Sequence, residues 1–190
     1  MDSKEQKWEL RRTALERRTQ LSSEARELAN RQIFERAHKL DAFQLATTVH
    51  IYRSLVDEVD TWPFFEYAWG IGKSVFVPIS TPSGLHHVQV TRDTQWTLGA
   101  YGIPEPLTDP SQIIMSGPAE VTVVIVPVVA FDTDCNRIGY GKGYYDRFLA
   151  STNVTSMGLA YECQKVERIL SEEHDVALSC VASDQRWYIA

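Results

Sequence analysis

Arg137 to Gly143, within the run RIGYGKGYYDRFL, bring three glycines, a lysine and an arginine together immediately before a stretch of helix-forming residues. Glycine lets backbone N–H groups approach a phosphate closely and adopts positive φ without strain. The N-terminus of the helix expected at Tyr144–Ala150 adds about half a positive charge, and Lys142 and Arg137 add two full ones. This combination suits a polyphosphate; the alternative reading is a flexible connection carrying a surface lysine. Neither the Walker A pattern nor the dinucleotide fingerprint is met. Asp146 falls in the first turn of the same helix. It can complement the helix dipole or hold Mg²⁺ beside bound phosphates, since that ion takes one or two carboxylates plus phosphate oxygens. Composition does not separate the two roles.

The elements that must position this loop alternate between strand and helix. VTVVIVPVVAF, Val121–Phe131, is a continuous apolar run of the kind found in strands buried on both faces. It leads through the polar turn DTDCN into the glycine segment. In open α/β sheets ligands bind at the carboxyl ends of strands, where a loop meets a helix N-terminus. Upstream, a helix is expected over Lys4–Gln20. A serine of Leu21-Ser22-Ser23 can cap a second helix over Glu24–Leu40, with Ala25, Leu28, Ile33, Ala37 and Leu40 as its apolar stripe. Leu45–Ile51 alternates as a strand, and Thr61 and Pro63 open a further helix that Gly70 or Gly72 ends. SVFVPIS and HHVQVTR read as strands, and Thr97–Pro118 as a long irregular loop. SMGLAYE reads as a strand, QKVERIL as a short helix and SCVAS as a last short strand. The class is therefore α/β: a mostly parallel central sheet flanked by helices on both sides, in a single domain spanning residues 1–190.

Charge and composition exclude several functions. Residues 1–40 carry ten Lys/Arg against seven Asp/Glu, whereas the rest carries nine against eighteen. A chain so acidic beyond its first helices is a poor nucleic-acid binder. No run of about 18 apolar residues could span a membrane, and MDSKEQKWELRR lacks the apolar core of a signal peptide. Three widely spaced cysteines point to free thiols in a reducing cytoplasm. Lys7 and Arg11, one helical turn apart, put two cations on one face, which is either a solvated face or a clamp. His86 and His87 adjoin in a strand pattern and so point to opposite faces.

The stretch AFDTDCNRIGYGKGYYDRFL resembles the signature of the 5-formyltetrahydrofolate cyclo-ligase family, also called 5,10-methenyltetrahydrofolate synthetase. Lys7, Leu10 and Arg11 followed by LSSEAR, Glu58-Val59-Asp60-Thr61, GIPEP at Gly102–Pro106, GLAYECQ and EEHDVAL fit the same pattern in order. The resemblance implies a three-layer fold like those of NagB- and RpiA-type sugar-phosphate isomerases and CoA transferases. It also implies conversion of ATP and 5-formyltetrahydrofolate to ADP, phosphate and 5,10-methenyltetrahydrofolate, with Mg²⁺. On this basis ATP should contact Lys7, Arg11 and the run Arg137, Ile138, Gly139, Tyr140, Gly141, Lys142, Gly143, Tyr144 and Tyr145. Lys142 and Arg137 should stabilise the transferred phosphoryl group, and Asp146 and Asp175 should hold the metal. Arg53, Glu58 and Tyr101 should line the folate site, although Arg53 stands where the family pattern has an apolar residue. A catalytically silent nucleotide- or folate-binding paralogue is the alternative. The expected protein is a cytoplasmic monomer acting on small molecules, with any polyglutamate preference unread.

Overall fold

The computed structural model describes residues 2–81, 84–99, 102–107, 113–114 and 122–190. Its helices are α1 (Ser3–Thr19), α2 (Ser23–Ala37), α3 (Asp41–Leu45), α4 (Trp62–Gly70) and α5 (Tyr144–Ala150). Its strands are β1 (Thr48–Ile51), β2 (Ser74–Thr81), β3 (Gly84–Val90), β4 (Trp96–Leu98), β5 (Pro104–Pro106), β6 (Ile113–Ile114), β7 (Thr122–Pro127), β8 (Ala130–Phe131), β9 (Arg137–Ile138), β10 (Thr155–Leu159), β11 (Cys180–Ala182) and β12 (Trp187–Ile189). The main sheet runs β12-β11-β10-β7-β1-β2-β3-β6. The five strands β11, β10, β7, β1 and β2 are parallel, with antiparallel strands added at both edges.

Alternation along β7 explains the sheet's place in the molecule. Val123 and Ile125 point into one core with Val49, Ile51, Val75 and Met157, covered by Ala29, Ile33 and Ala37 of α2, Phe43 of α3, and Phe64, Phe65 and Ala68 of α4. Val124 and Val126 point into the other, with Phe131, Leu149 of α5, Val181 and Tyr188. A strand with both faces buried needs the unbroken apolar run seen in the sequence. The layers are unequal: three helices cover one face, and the short α5 with extended segments covers the other. α1 lies across the carboxyl end, packing Leu10, Ala14 and Leu15 against Val129, Ala130, Ile138, Val166 and Ile169.

Local expectations hold where local chemistry governs. Asp2 caps α1 by accepting the Glu5 N–H at 2.7 Å, and Ser22 caps α2 through Ala25 at 3.2 Å. Elsewhere tertiary bonds win. Thr61 precedes α4 but does not cap it, because its hydroxyl donates to the Tyr52 carbonyl at 2.8 Å. Leu28 is half-exposed and off the buried stripe of α2. Leu45, expected to open a strand, ends α3, and β1 begins at Thr48. QKVERIL is not a helix: one 3₁₀ turn covers Glu162–Gln164, after which Val166 N–H donates to Phe131 O and Ile169 N–H to the Asp132 carboxylate. Those donors serve the β7 loop instead of a helix of their own. Thr97–Pro118 contains the β4–β5 hairpin and β6, and β12 follows the strand expected to be last.

Candidate active site

Loops following β1, β7 and β10, adjacent in the sheet, converge at its carboxyl end. The β7 loop is shaped by buried Asp132, whose Oδ1 accepts the N–H groups of Asp134 and Asn136 at 3.1 and 3.0 Å. Cys135 in that turn has φ of 60°. The chain reverses through the β8–β9 hairpin and enters the glycine segment. Gly141 (φ 87°) and Gly143 (φ 64°) occupy the left-handed region, Gly143 as the residue preceding α5. A Cβ on Gly143 would come within 3.0 Å of Arg147 Nη1, and one on Gly141 within 3.4 Å of Arg11 Nη2. Backbone conformation thus calls for both glycines; a side chain at 143 would in addition crowd Arg147, whereas one at 141 would only touch Arg11.

α1 grips this loop. Arg11 Nε donates to Gly139 O at 2.8 Å, fixing a turn that has few bonds of its own. Lys7 pairs with Asp175 at 2.5 Å and Glu172 at 2.9 Å. Although burial works against its charge, bonds to these two acids raise the Lys7 pKa overall; burial likewise opposes the charge of Asp175, but Lys7 and the Glu172 N–H hold its carboxyl below the usual range. α1 is also bonded to the chain's far end: Ser3 Oγ donates to Leu170 O at 2.9 Å and Leu170 N–H to Gln6 Oε1 at 2.9 Å. Arg137 is buried and meets Asp146 Oδ1 at 3.0 Å, while its other terminal nitrogen donates to Val176 O. Burial lowers the Arg137 pKa, against the pull of Asp146. Asp146 Oδ1 also accepts the Val176 N–H at 3.2 Å, so the carboxylate of Asp146 lies beside the backbone next to Asp175. Lys142 is exposed and makes no ion pair or side-chain hydrogen bond among the described residues.

In the loop after β1, Glu58 is 7% exposed. Its Oε2 accepts the Leu55 N–H at 2.9 Å and its Oε1 the Tyr140 hydroxyl at 3.0 Å. Burial raises its pKa, against these two bonds and the charge of Arg18. Tyr52 and Tyr145 are close enough for Glu58 to raise their pKa values further, on top of the larger effect of burial. The Tyr161 hydroxyl lies 3.0 Å from Glu58 O and 2.8 Å from Asn30 Oδ1, its one proton shared between two acceptors, and pins the β1 loop. Arg53 stands apart from this network. Its guanidinium lies 4.7 Å from the Trp62 ring centre, 5.1 Å from Trp96 and 5.6 Å from Phe65, with Nε buried and unbonded among the described residues. Tyr144 stacks under Arg147 at 5.2 Å. Tyr101 lies outside the described residues.

A family model for the 5-formyltetrahydrofolate cyclo-ligase family matches residues 3–184. The chain belongs to the 5-formyltetrahydrofolate cyclo-ligase family. A cyclo-ligase of this name from Haemophilus influenzae is 31% identical over 167 residues, spanning 85% of this chain and 88% of that protein. The Escherichia coli K12 protein of the same name is 29% identical over 177 residues, spanning 90% and 96%. The NMR structure of Aquifex aeolicus 5,10-methenyltetrahydrofolate synthetase matches with a TM-score of 0.78 at 28% identity, over 96% of this chain and 92% of that one. The Mycoplasma pneumoniae synthetase structure shares the fold at a TM-score of 0.71.

Within this cyclo-ligase fold, Arg18 is a site residue beyond those the sequence motifs point to. It is 2% exposed, pairs with Asp57 at 2.6 Å and donates to the Tyr140 hydroxyl at 3.1 Å. A signal existed: Lys7, Arg11, Ala14 and Arg18 are spaced four, three and four apart, along one helix face. The adjacent histidines do part to opposite faces. His87 turns inward to His50 of β1, Nδ1 to Nδ1 at 2.7 Å, with the His50 ring stacked on Phe76 and the His87 ring against Phe148. Burial lowers their pKa values, to about 3 for His50 and about 4 for His87. Burial pushes the Cys135 thiol up to about 11 and Cys180 to about 12, and raises that of Cys163, which disfavours the thiolate in each. Among the described residues, no helix is long and apolar enough to cross a membrane.

Proposed function

We propose that this protein is an ATP-dependent 5-formyltetrahydrofolate cyclo-ligase that forms 5,10-methenyltetrahydrofolate, ADP and phosphate. The observation that carries the reading is the bond from Arg11 to Gly139, which makes α1 and the glycine loop one cationic cradle beside two carboxylates. The N5 formyl group is an amide with a poor leaving group. Transfer of the γ-phosphoryl group to its oxygen releases ADP and turns that oxygen into part of a phosphate. N10 of the same folate then bonds to the formyl carbon at high effective concentration. The C–O bond breaks, and phosphate departs with the N10 proton. No covalent enzyme intermediate is needed.

The residues supply placement and charge. Lys142, uncommitted among the described residues, reaches the γ-phosphate and stabilises its transferring charge. Arg11 and the glycine N–H groups seat the phosphates, and Lys7 exchanges part of its pairing with Asp175 for a phosphate oxygen. Arg137 backs Asp146 and orients its carboxylate. Asp146 and Asp175 fit Mg²⁺, because both are hard oxygen donors and only one oxygen of Asp146 is taken by Arg137 and Val176. When bound, the ion neutralises phosphate charge. Glu58 accepts pterin N–H groups as a carboxylate accepts parallel donors, with Arg53 and Tyr101 flanking the folate. The enzyme acts as a cytoplasmic monomer. The test is the rise of methenyl-folate absorbance on mixing protein, Mg²⁺, ATP and 5-formyltetrahydrofolate. No rise, or an equal rise without ATP, overturns the reading.

A further inference from the structure

Three side chains from three separate elements form one chain of bonds: Arg18 of α1, Tyr140 of the glycine loop and Glu58 of the β1 loop. Arg18 Nη2 lies 3.1 Å from the Tyr140 oxygen, which lies 3.0 Å from Glu58 Oε1. Direction is fixed by chemistry. A guanidinium only donates and an ionised carboxylate only accepts, so the tyrosine proton must point at Glu58. We propose that Arg18 is a positioning residue for the folate-side carboxylate: acting through Tyr140, it holds Glu58 in place and ties the glycine loop to the β1 loop. This rests on the assignment of Glu58 to folate recognition.

The arrangement is poorly suited to a purely structural pair. Arg18 is almost fully buried, its one acidic partner Asp57 is partly exposed, and Nη1 has no partner among the described residues. An unsatisfied buried donor is a cost that packing alone does not explain. Several groups bear on the Glu58 carboxylate. Burial disfavours its ionised form and Asp57 repels it; the Leu55 N–H, the Tyr140 hydroxyl and the charge of Arg18 favour it. Tyr52 and Tyr145 line the same space and are neutral there. Arg18 acts twice, because it also neutralises Asp57. Without it Glu58 loses an attraction and gains an unmasked repulsion, so both changes favour protonation.

The test compares Arg18→Met, Arg18→Lys, Tyr140→Phe and Glu58→Gln by the pH profile of kcat/KM for 5-formyltetrahydrofolate. In Arg18→Met the acid limb should move to higher pH. KM for the folate should rise roughly tenfold at pH 6, about the worth of one charge-assisted bond, and recover towards pH 9. KM for ATP should change less than about threefold. Arg18→Lys should move the limb back towards wild type. Tyr140→Phe, whose ring is half-exposed and whose fold is not at risk, should shift the limb the same way with a several-fold change, and it carries the test should Arg18→Met not fold. If Glu58→Gln raises the folate KM while the Tyr140→Phe and Arg18→Met profiles keep the wild-type limb, the positioning role is wrong and the folate assignment stands. If Glu58→Gln leaves that KM unchanged, the folate assignment falls and this inference with it.

Discussion

The two sides of the proposed site handle charge differently. On the proposed nucleotide side three acids have a cation at hand: Lys7 with Asp175 and Glu172, Arg137 with Asp146. Lys142 alone is free among the described residues of that loop. On the proposed folate side one carboxylate among the described residues is buried and held by a hydroxyl and a backbone amide, with Arg18 reaching it through Tyr140. The first side can exchange partners when a highly charged ligand and a cation arrive together, since each incoming charge replaces an existing one. The second has its geometry prepared before a largely neutral ring system arrives. The difference is between a site built for substitution and one built for complementarity.

The largest test of that contrast is Lys142→Ala. A free cation aimed at developing charge should matter most, so kcat should fall by roughly 10²–10³ with Tm unchanged, because the side chain is exposed. Wild-type turnover at saturating ATP would remove Lys142 from the mechanism. Asp146→Asn should act on two readouts. Loss of a charged ligand should raise the Mg²⁺ needed for half-maximal rate by tenfold or more, on the order of metal-site substitutions generally. Arg137 would lose its nearest acidic partner, costing about 1–3 kcal/mol. Superimposable Mg²⁺ titrations with a lowered Tm would leave Asp146 a structural role only.

Lys7→Ala with Arg11→Ala should raise KM for ATP about tenfold and the folate KM much less, since the pair touches only the glycine-loop side. Equal changes in both constants would erase the distinction between the two sides. The smallest effect is expected in the sheet beneath them. His50 and His87 are neutral when folded, with pKa values lowered from the ordinary 6.5. Their contribution is whole above pH 6.5 and is lost as pH falls from there through about 4 to 3, because the unfolded chain takes up protons from 6.5 downward while the folded one does not. Tm should therefore decline over that window, and less steeply in His50→Asn. A slope unaffected by the substitution would assign the decline to other groups.

What could be read in the sequence was what is local. The glycine run, its helix and Asp146 lie within thirteen consecutive residues, and the β7 run announced its two buried faces. Ser22 and Pro63 marked helix starts for the same reason. What escaped depended on distant partners. Arg18 takes its meaning from Asp57 and Tyr140, and the 164–170 segment loses its helix to acceptors at Phe131 and Asp132. Thr61 looked like a cap by type, but its hydroxyl was already committed to Tyr52. Arg53, a proposed folate contact, has aromatic surroundings from α4 and β4 that spacing could not bring together.

The docking of α1 has a kinetic consequence. Its bonds to Arg168, Leu170, Glu172 and Asp175 join residues 162 to 168 positions apart. Closing loops of that length carries a large entropic toll, and such contacts slow folding. During synthesis α1 emerges ahead of every strand of the sheet and must wait for residues 168–175 before its basic face finds a seat. In refolding, the sheet core should therefore mature before α1 docks. Near-ultraviolet signals from the core should recover ahead of ATP binding, and the lag should lengthen when Leu170 N–H loses its acceptor in Gln6→Ala.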